Sequence, residues 1–114
     1  MAIGLYIHVP FCLSKCPYCD FYSGPPTEEG MDRYTDAVCR SLREWGGRRR
    51  ERADTLYFGG GTPSLLGGRR LQRILEQSRE VFGLEGAEIT LEANPADELK
   101  ETLRCFAAAG GNRL

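Results

Sequence analysis

Apolar and polar positions alternate over Leu5-Tyr6-Ile7-His8-Val9, which predicts a strand, and Pro10 ends it. No period holds from there to about Pro26, so this stretch reads as a loop. From Thr27 the pattern becomes helical. Thr27 is placed to cap a helix whose first turn carries Glu28 and Glu29, where the helix dipole favours carboxylates. Tyr34, Ala37, Val38, Leu42 and Trp45 recur at helical spacing, and Gly46-Gly47 predicts the stop. Thr55-Leu56-Tyr57-Phe58 predicts a second strand running into Gly59-Gly60-Gly61-Thr62-Pro63. Leu71, Ile74, Leu75, Val81 and Phe82 mark a second helix that ends at Gly83. Glu88 to Ala93 predicts a third strand, closed by Asn94-Pro95. A third helix is expected from about Ala96 to Ala109, with Leu99, Leu103 and Phe106 on one face and Gly110-Gly111 behind it. Asn112-Arg113-Leu114 reads as the beginning of a fourth strand that lacks a partner, as in a truncated product or fragment.

The order is therefore βαβαβα, which predicts an α/β fold with a parallel sheet and right-handed crossovers. All 114 residues read as one incomplete domain. Each strand has a polar face: Tyr6 and His8; Thr55, Tyr57 and Gly59; Glu88, Thr90 and Glu92. Parallel strands covered on both sides are usually apolar throughout. Two readings stand level on this pattern: a sheet with one wet side, or part of a barrel whose interior holds a polar ligand.

Composition narrows the setting. The net charge is −1 with both signs mixed, which calls for neither nucleic acid nor an anionic membrane as partner. The run Arg48-Arg49-Arg50-Glu51-Arg52 is read as a solvated helix end or loop. No segment approaches the roughly 20 apolar residues that span a bilayer, and the start lacks the features of a signal peptide. A cytoplasmic, reducing location is expected, where clustered cysteines serve as metal ligands or catalytic groups more often than as disulfides.

Cys12, Cys16 and Cys19 fall close together, while Cys39 and Cys105 stand apart in predicted helices and are read as packing or surface residues. Thiolates suit iron–sulfur clusters and zinc. A structural zinc site takes four protein ligands, and a ferredoxin-type cluster takes four cysteines at another spacing. Three thiolates on a [4Fe–4S] cube leave one iron for a small molecule. The alternative is a Cys3His zinc module completed by His8. The glycine run lets a ligand approach the backbone, but it lacks the Lys-Ser/Thr of a phosphate loop. Glu92, the glycine run and the cysteine loop each follow a predicted parallel strand, the edge at which ligands bind in such folds.

Together, Tyr6-x-His8-x-Pro10-Phe11-Cys12-x-x-x-Cys16-x-Tyr18-Cys19, Gly59-Gly60-Gly61-Thr62-Pro63-Ser64 and Glu92-Ala93-Asn94-Pro95 resemble the radical S-adenosylmethionine (SAM) group of oxygen-independent coproporphyrinogen III oxidases and heme chaperones. The resemblance spans Leu5 to Leu114. It implies the N-terminal βαβαβα part of a partial TIM-type barrel. It assigns the [4Fe–4S] cluster to Cys12, Cys16 and Cys19, and SAM to the open iron. There an electron from the cluster cleaves SAM to a 5′-deoxyadenosyl radical. It places Tyr6 beside the SAM carboxylate and Tyr18 near the adenine. Gly60, Gly61 and Thr62 are set at the methionine end, and Glu92 in contact with SAM. His8 is set facing the same cavity. Heme or a porphyrin is the implied partner of the full-length protein, with the electron donor unassigned. The oxidases carry a fourth cysteine two residues after the third. Phe21 stands there, which favours the chaperone branch over oxidative decarboxylation. Gly111 replaces the β-branched residue usual in relatives, and activity is not expected of these residues alone.

Overall fold

Three parallel strands in the order β1-β2-β3 form the sheet of the computed structural model, which describes residues 3–11, 27–48, 52–92 and 100–113. They are β1 (Ile3–Val9), β2 (Ala53–Gly60) and β3 (Glu88–Leu91). Between and after them lie α1 (Glu28–Arg48), α2 (Gly67–Phe82) and α3 (Lys100–Ala108). A short 3-10 turn, Pro63–Leu66, separates β2 from α2. The predicted βαβαβα order and parallel sheet are both found.

Register decides which side chains share a face. Tyr6 pairs with Tyr57, Ile7 with Phe58 and His8 with Gly59; Tyr57 in turn pairs with Thr90, and Phe58 with Leu91. Ile7, Val9, Leu56, Phe58, Ile89 and Leu91 are buried on one face. There they join Met31, Cys39 and Leu42 of α1, Leu71, Ile74 and Leu75 of α2, and Phe106 of α3 in one core. Each fully buried Leu, Ile or Phe contributes about 1.5–3 kcal/mol relative to exposure. The helices cover this apolar face, and Tyr6, His8, Thr55, Tyr57 and Glu88 on the other remain exposed. Among the described residues no helix is long and apolar enough to cross a membrane.

Several element ends differ from the sequence reading. Thr27 does cap α1: its Oγ1 accepts the Gly30 N–H at 3.0 Å. Gly46-Gly47 does not stop that helix, which runs on to Arg48. A Cβ on Gly46 would lie 1.9 Å from Cγ1 of Val81, so this glycine lets α1 and α2 approach. Gly83 ends α2 as expected, at φ 69° with its N–H on the Arg79 carbonyl. The predicted beginning of the third helix, at Ala96, lies outside the described residues. The tail does have a partner. Arg113 bridges Thr90 in parallel, its carbonyl accepts the Leu91 N–H at 3.1 Å, and Asn112 Oδ1 accepts the Ile89 N–H at 2.9 Å. The lone cysteines are packing residues, Cys39 buried and Cys105 half-buried.

Arg70 ties the N-terminal ends of α1 and α2. Its guanidinium is almost fully covered and donates to Glu28, to Asp32 Oδ1 at 2.9 Å and to the Leu66 carbonyl at 2.9 Å. Burial opposes the charge, but the bonds to Glu28 and Asp32 outweigh it and hold the guanidinium above its ordinary pKa.

Two substitutions test this packing. Gly46→Ala gains up to about 1 kcal/mol of helix propensity but meets a stiff β-branched side chain, and overpacking costs about 1–3 kcal/mol. Net destabilisation is expected in urea unfolding, and the Gly46→Ala/Val81→Ala pair should lose less than the sum of the single changes. Arg70→Met should cost about 1–2 kcal/mol by the same measurement. It removes donors from the Leu66 carbonyl and from two acidic partners that are themselves partly exposed.

Candidate functional site

Pro10 has no N–H, so regular pairing ends where β1 leads toward the cysteine segment. The glycine run takes over. Gly61 donates its N–H to the Val9 carbonyl at 2.8 Å, and Thr62 donates to the Phe11 carbonyl at 2.8 Å. These two bonds carry the β1–β2 contact past the proline. Gly60 adopts φ +107°, and a Cβ there would sit 2.7 Å from His8 Nδ1 and 2.9 Å from the Val9 carbonyl. Glycine is therefore required at this turn on both steric grounds. On the far side of β1, the Tyr34 hydroxyl of α1 donates to the His8 carbonyl, and its ring packs edge-on against Phe11 at 5.5 Å. Burial, and then the nearby Tyr6, push the Tyr34 phenol well above its usual range, so it stays a donor.

The exposed face of the sheet carries an aromatic pair. Tyr6 and Tyr57, partners across β1 and β2, stack with centroids 5.8 Å apart and planes 11° from parallel. They remain 60% and 37% exposed, which is unusual for rings stacked on a sheet and leaves their edges open to a ligand. Gly59 makes room for them: a Cβ there would lie 2.5 Å from Tyr6 Oη and 2.9 Å from Tyr57 Cε1. His8 stands next to Tyr6, with ring centroids 6.4 Å apart.

Glu92 comes directly after β3. Its N–H donates to the Phe58 carbonyl at 3.1 Å, so its backbone is fixed by β2. Its Oε1 accepts the Tyr57 hydroxyl at 2.7 Å. That bond, more than burial, raises the Tyr57 phenol above its ordinary pKa.

Of the residues singled out in the sequence, Tyr6, His8, Gly60, Gly61, Thr62 and Glu92 thus come together at the C-terminal ends of β1, β2 and β3 or on the polar face just below. Cys12, Cys16, Cys19 and Tyr18 lie outside the described residues. Their segment is nevertheless held at its flanks: Phe11 is bonded to Thr62 before it, and Glu28 to Arg70 after it. A donor set of three soft thiolates fits a [4Fe–4S] cluster with one iron left for a ligand. Among the described residues no group of His, Cys, Asp or Glu is arranged to hold a metal by itself. A groove of about 660 Å3 lies along β1 and α1, lined largely by apolar groups such as Leu5, Val38, Leu42 and Trp45. Tyr57 was missed as a site residue. Its signal was its place two residues before the last strand glycines, on the face shared with Tyr6.

Comparison with known proteins agrees with this arrangement. The radical SAM superfamily model matches residues 6–114. The heme chaperone HemW of Mycobacterium tuberculosis strain H37Rv is 42% identical over 117 residues, covering 97% of this chain and 30% of that protein. HemW of Escherichia coli K12 is 38% identical over 115 residues, covering 98% and 30%. The mouse mitochondrial radical S-adenosyl methionine domain-containing protein 1 is 40% identical over 117 residues, covering 97% and 26%. The chain spans 30% or less of the length of these relatives. Among solved structures, the radical SAM enzyme coproporphyrinogen III oxidase HemN from Escherichia coli superposes with a TM-score of 0.87 at 29% identity, over 99% of this chain and 27% of that one. The polar face is accordingly the inside of a partial barrel, not the wet side of an open sheet. The chain belongs to the radical SAM superfamily, whose members work with SAM and a [4Fe–4S] cluster.

Proposed function

We propose that this chain is the cluster- and SAM-binding part of a heme chaperone, working in the reducing cytoplasm. The observation that carries the branch is Phe21. It follows Cys19-Asp20 where the oxidases have a further cysteine. The names of the relatives at about 40% identity point the same way. In this reading Cys12, Cys16 and Cys19 hold the cluster. Tyr6 lies beside the SAM carboxylate, and Tyr18 packs near the adenine. Gly60, Gly61 and Thr62 meet the methionine end, and Glu92 contacts the bound SAM. When bound, the cluster and SAM supply one-electron chemistry, and the protein contributes position and exclusion of water.

The chain's own residues set the positions. Gly61 and Thr62 spend their N–H groups on Val9 and Phe11, which supports a role for this turn in holding the cysteine segment against the SAM end. Gly59 and Gly60 keep the surface low, so a ligand meets backbone and aromatic edges instead of methyl groups. Glu92 is brought over the same space from the third strand. Heme or a porphyrin is the partner in this reading.

The second reading, an oxygen-independent coproporphyrinogen III oxidase, is favoured by the likeness to HemN. Incubating the full-length protein anaerobically with coproporphyrinogen, SAM and a reductant separates the two. No decarboxylated porphyrinogen is expected, and its appearance at catalytic turnover would decide for the oxidase. The ligand set is tested by iron analysis after anaerobic reconstitution. Cys16→Ala should lose the cluster, whereas Cys105→Ala, half-buried between α2 and α3, should keep it. A colourless wild-type protein holding zinc and no iron would instead support the Cys3His module with His8.

A further inference from the structure

We propose that Tyr57 is a positioning residue whose hydroxyl orients the Glu92 carboxylate toward SAM. The inference rests on the reading of Glu92 as a SAM contact. A carboxylate placed just past a strand end keeps its side-chain torsions unless something fixes them. Here the backbone of Glu92 is fixed to Phe58, and its Oε1 is engaged by Tyr57 at 2.7 Å. One anchored oxygen sets the plane in which the carboxylate presents its remaining acceptor sites.

The donor is itself held in place. The Tyr57 ring stacks on Tyr6 at 5.8 Å and leans over Gly59, where any Cβ would crowd its Cε1 at 2.9 Å. Its hydroxyl is therefore aimed from β2 along the polar face to the end of β3. The raised pKa of the phenol keeps the proton on oxygen at neutral pH, so Tyr57 donates and Glu92 accepts. Tyr6 and Tyr57 are paired on β1 and β2, and the Tyr57 hydroxyl reaches on to Glu92 just past the end of β3, along the face that SAM is read to occupy. Removing the hydroxyl leaves the stack intact and frees only the carboxylate. A purely structural tyrosine predicts no dependence on Glu92.

The test uses the full-length protein with its cluster reconstituted anaerobically. SAM is titrated, and binding is read from the change in the electron paramagnetic resonance signal of the reduced cluster. Wild type, Tyr57→Phe, Glu92→Gln and the double variant are compared. Tyr57→Phe should weaken SAM binding about five-fold, the scale of one hydrogen bond to a charged group at a partly exposed site. Iron content and the SAM-free signal should not change. In the Glu92→Gln background the same substitution should alter binding by less than about two-fold, because the two residues act as one unit. Wild-type affinity in Tyr57→Phe beside a weakened Glu92→Gln overturns the inference alone. An equal loss in both backgrounds also overturns it, since Tyr57 then acts by another route. Wild-type affinity in Glu92→Gln removes the premise as well and overturns both readings.

Discussion

Two backbone hydrogen bonds connect β1 to the glycine turn at the sheet's C-terminal edge. Pro10 interrupts the ladder just where the chain must turn from β1 toward its cysteines, and Gly61 and Thr62 restore the connection by donating to Val9 and Phe11. Such bonds need the two backbones in near contact, and the positive φ of Gly60 supplies that approach. A side chain at position 60 would strike His8 and the Val9 carbonyl, so the turn and the start of the cysteine segment form one unit. The glycine run is thus both a surface open to a ligand and the strap that holds the end of β1 through Phe11.

The helical layer serves the same edge from behind. Arg70 joins the first turn of α1, which follows the cysteine segment, to the carbonyl of Leu66, which follows the glycine turn. Its acidic partners are partly exposed, so the gain lies less in the ion pairs than in satisfying a carbonyl between elements. Tyr34 supplies a third link, from α1 to the His8 carbonyl. The segment expected to carry the cluster thus lies between two elements, β1 and α1, that are each tied to their neighbours.

Most of this was legible in the sequence because the signals were local. Alternation in Leu5–Val9 and helical spacing from Tyr34 to Trp45 announce a strand and a helix, and both are found, but in α1 the buried stripe is Met31, Thr35, Cys39 and Leu42 while Ala37 and Trp45 are exposed. Thr27 shows its capping role through its own side chain. The failures required a partner the sequence does not display. Gly46-Gly47 looked like a stop because glycine is a poor helix former, yet Gly46 is the point where α1 meets Val81. Asn112-Arg113 looked unpartnered because the register with Thr90 and Ile89 is set by the sheet. Tyr57 was one strand tyrosine among several until pairing placed it between Tyr6 and Glu92. The assignment of Cys12, Cys16 and Cys19 as ligands rests on spacing and softness alone, since they lie outside the described residues.

The polar face follows from the same parallel register. In parallel strands each side chain lies beside its counterpart, so a polar position repeated on β1, β2 and β3 becomes a continuous line across the sheet. A sheet covered by helices on one side has no hydrophobic reason to keep Tyr6, Tyr57 and Glu92 together on the other. Cross-strand pairing stabilises the two stacked tyrosines, which stay 60% and 37% exposed. Such rings pack well against a ligand that brings both a flat apolar part and polar groups. A sulfonium nucleoside has that character. The composition of the face therefore suits such a ligand, as expected in a superfamily that works with SAM.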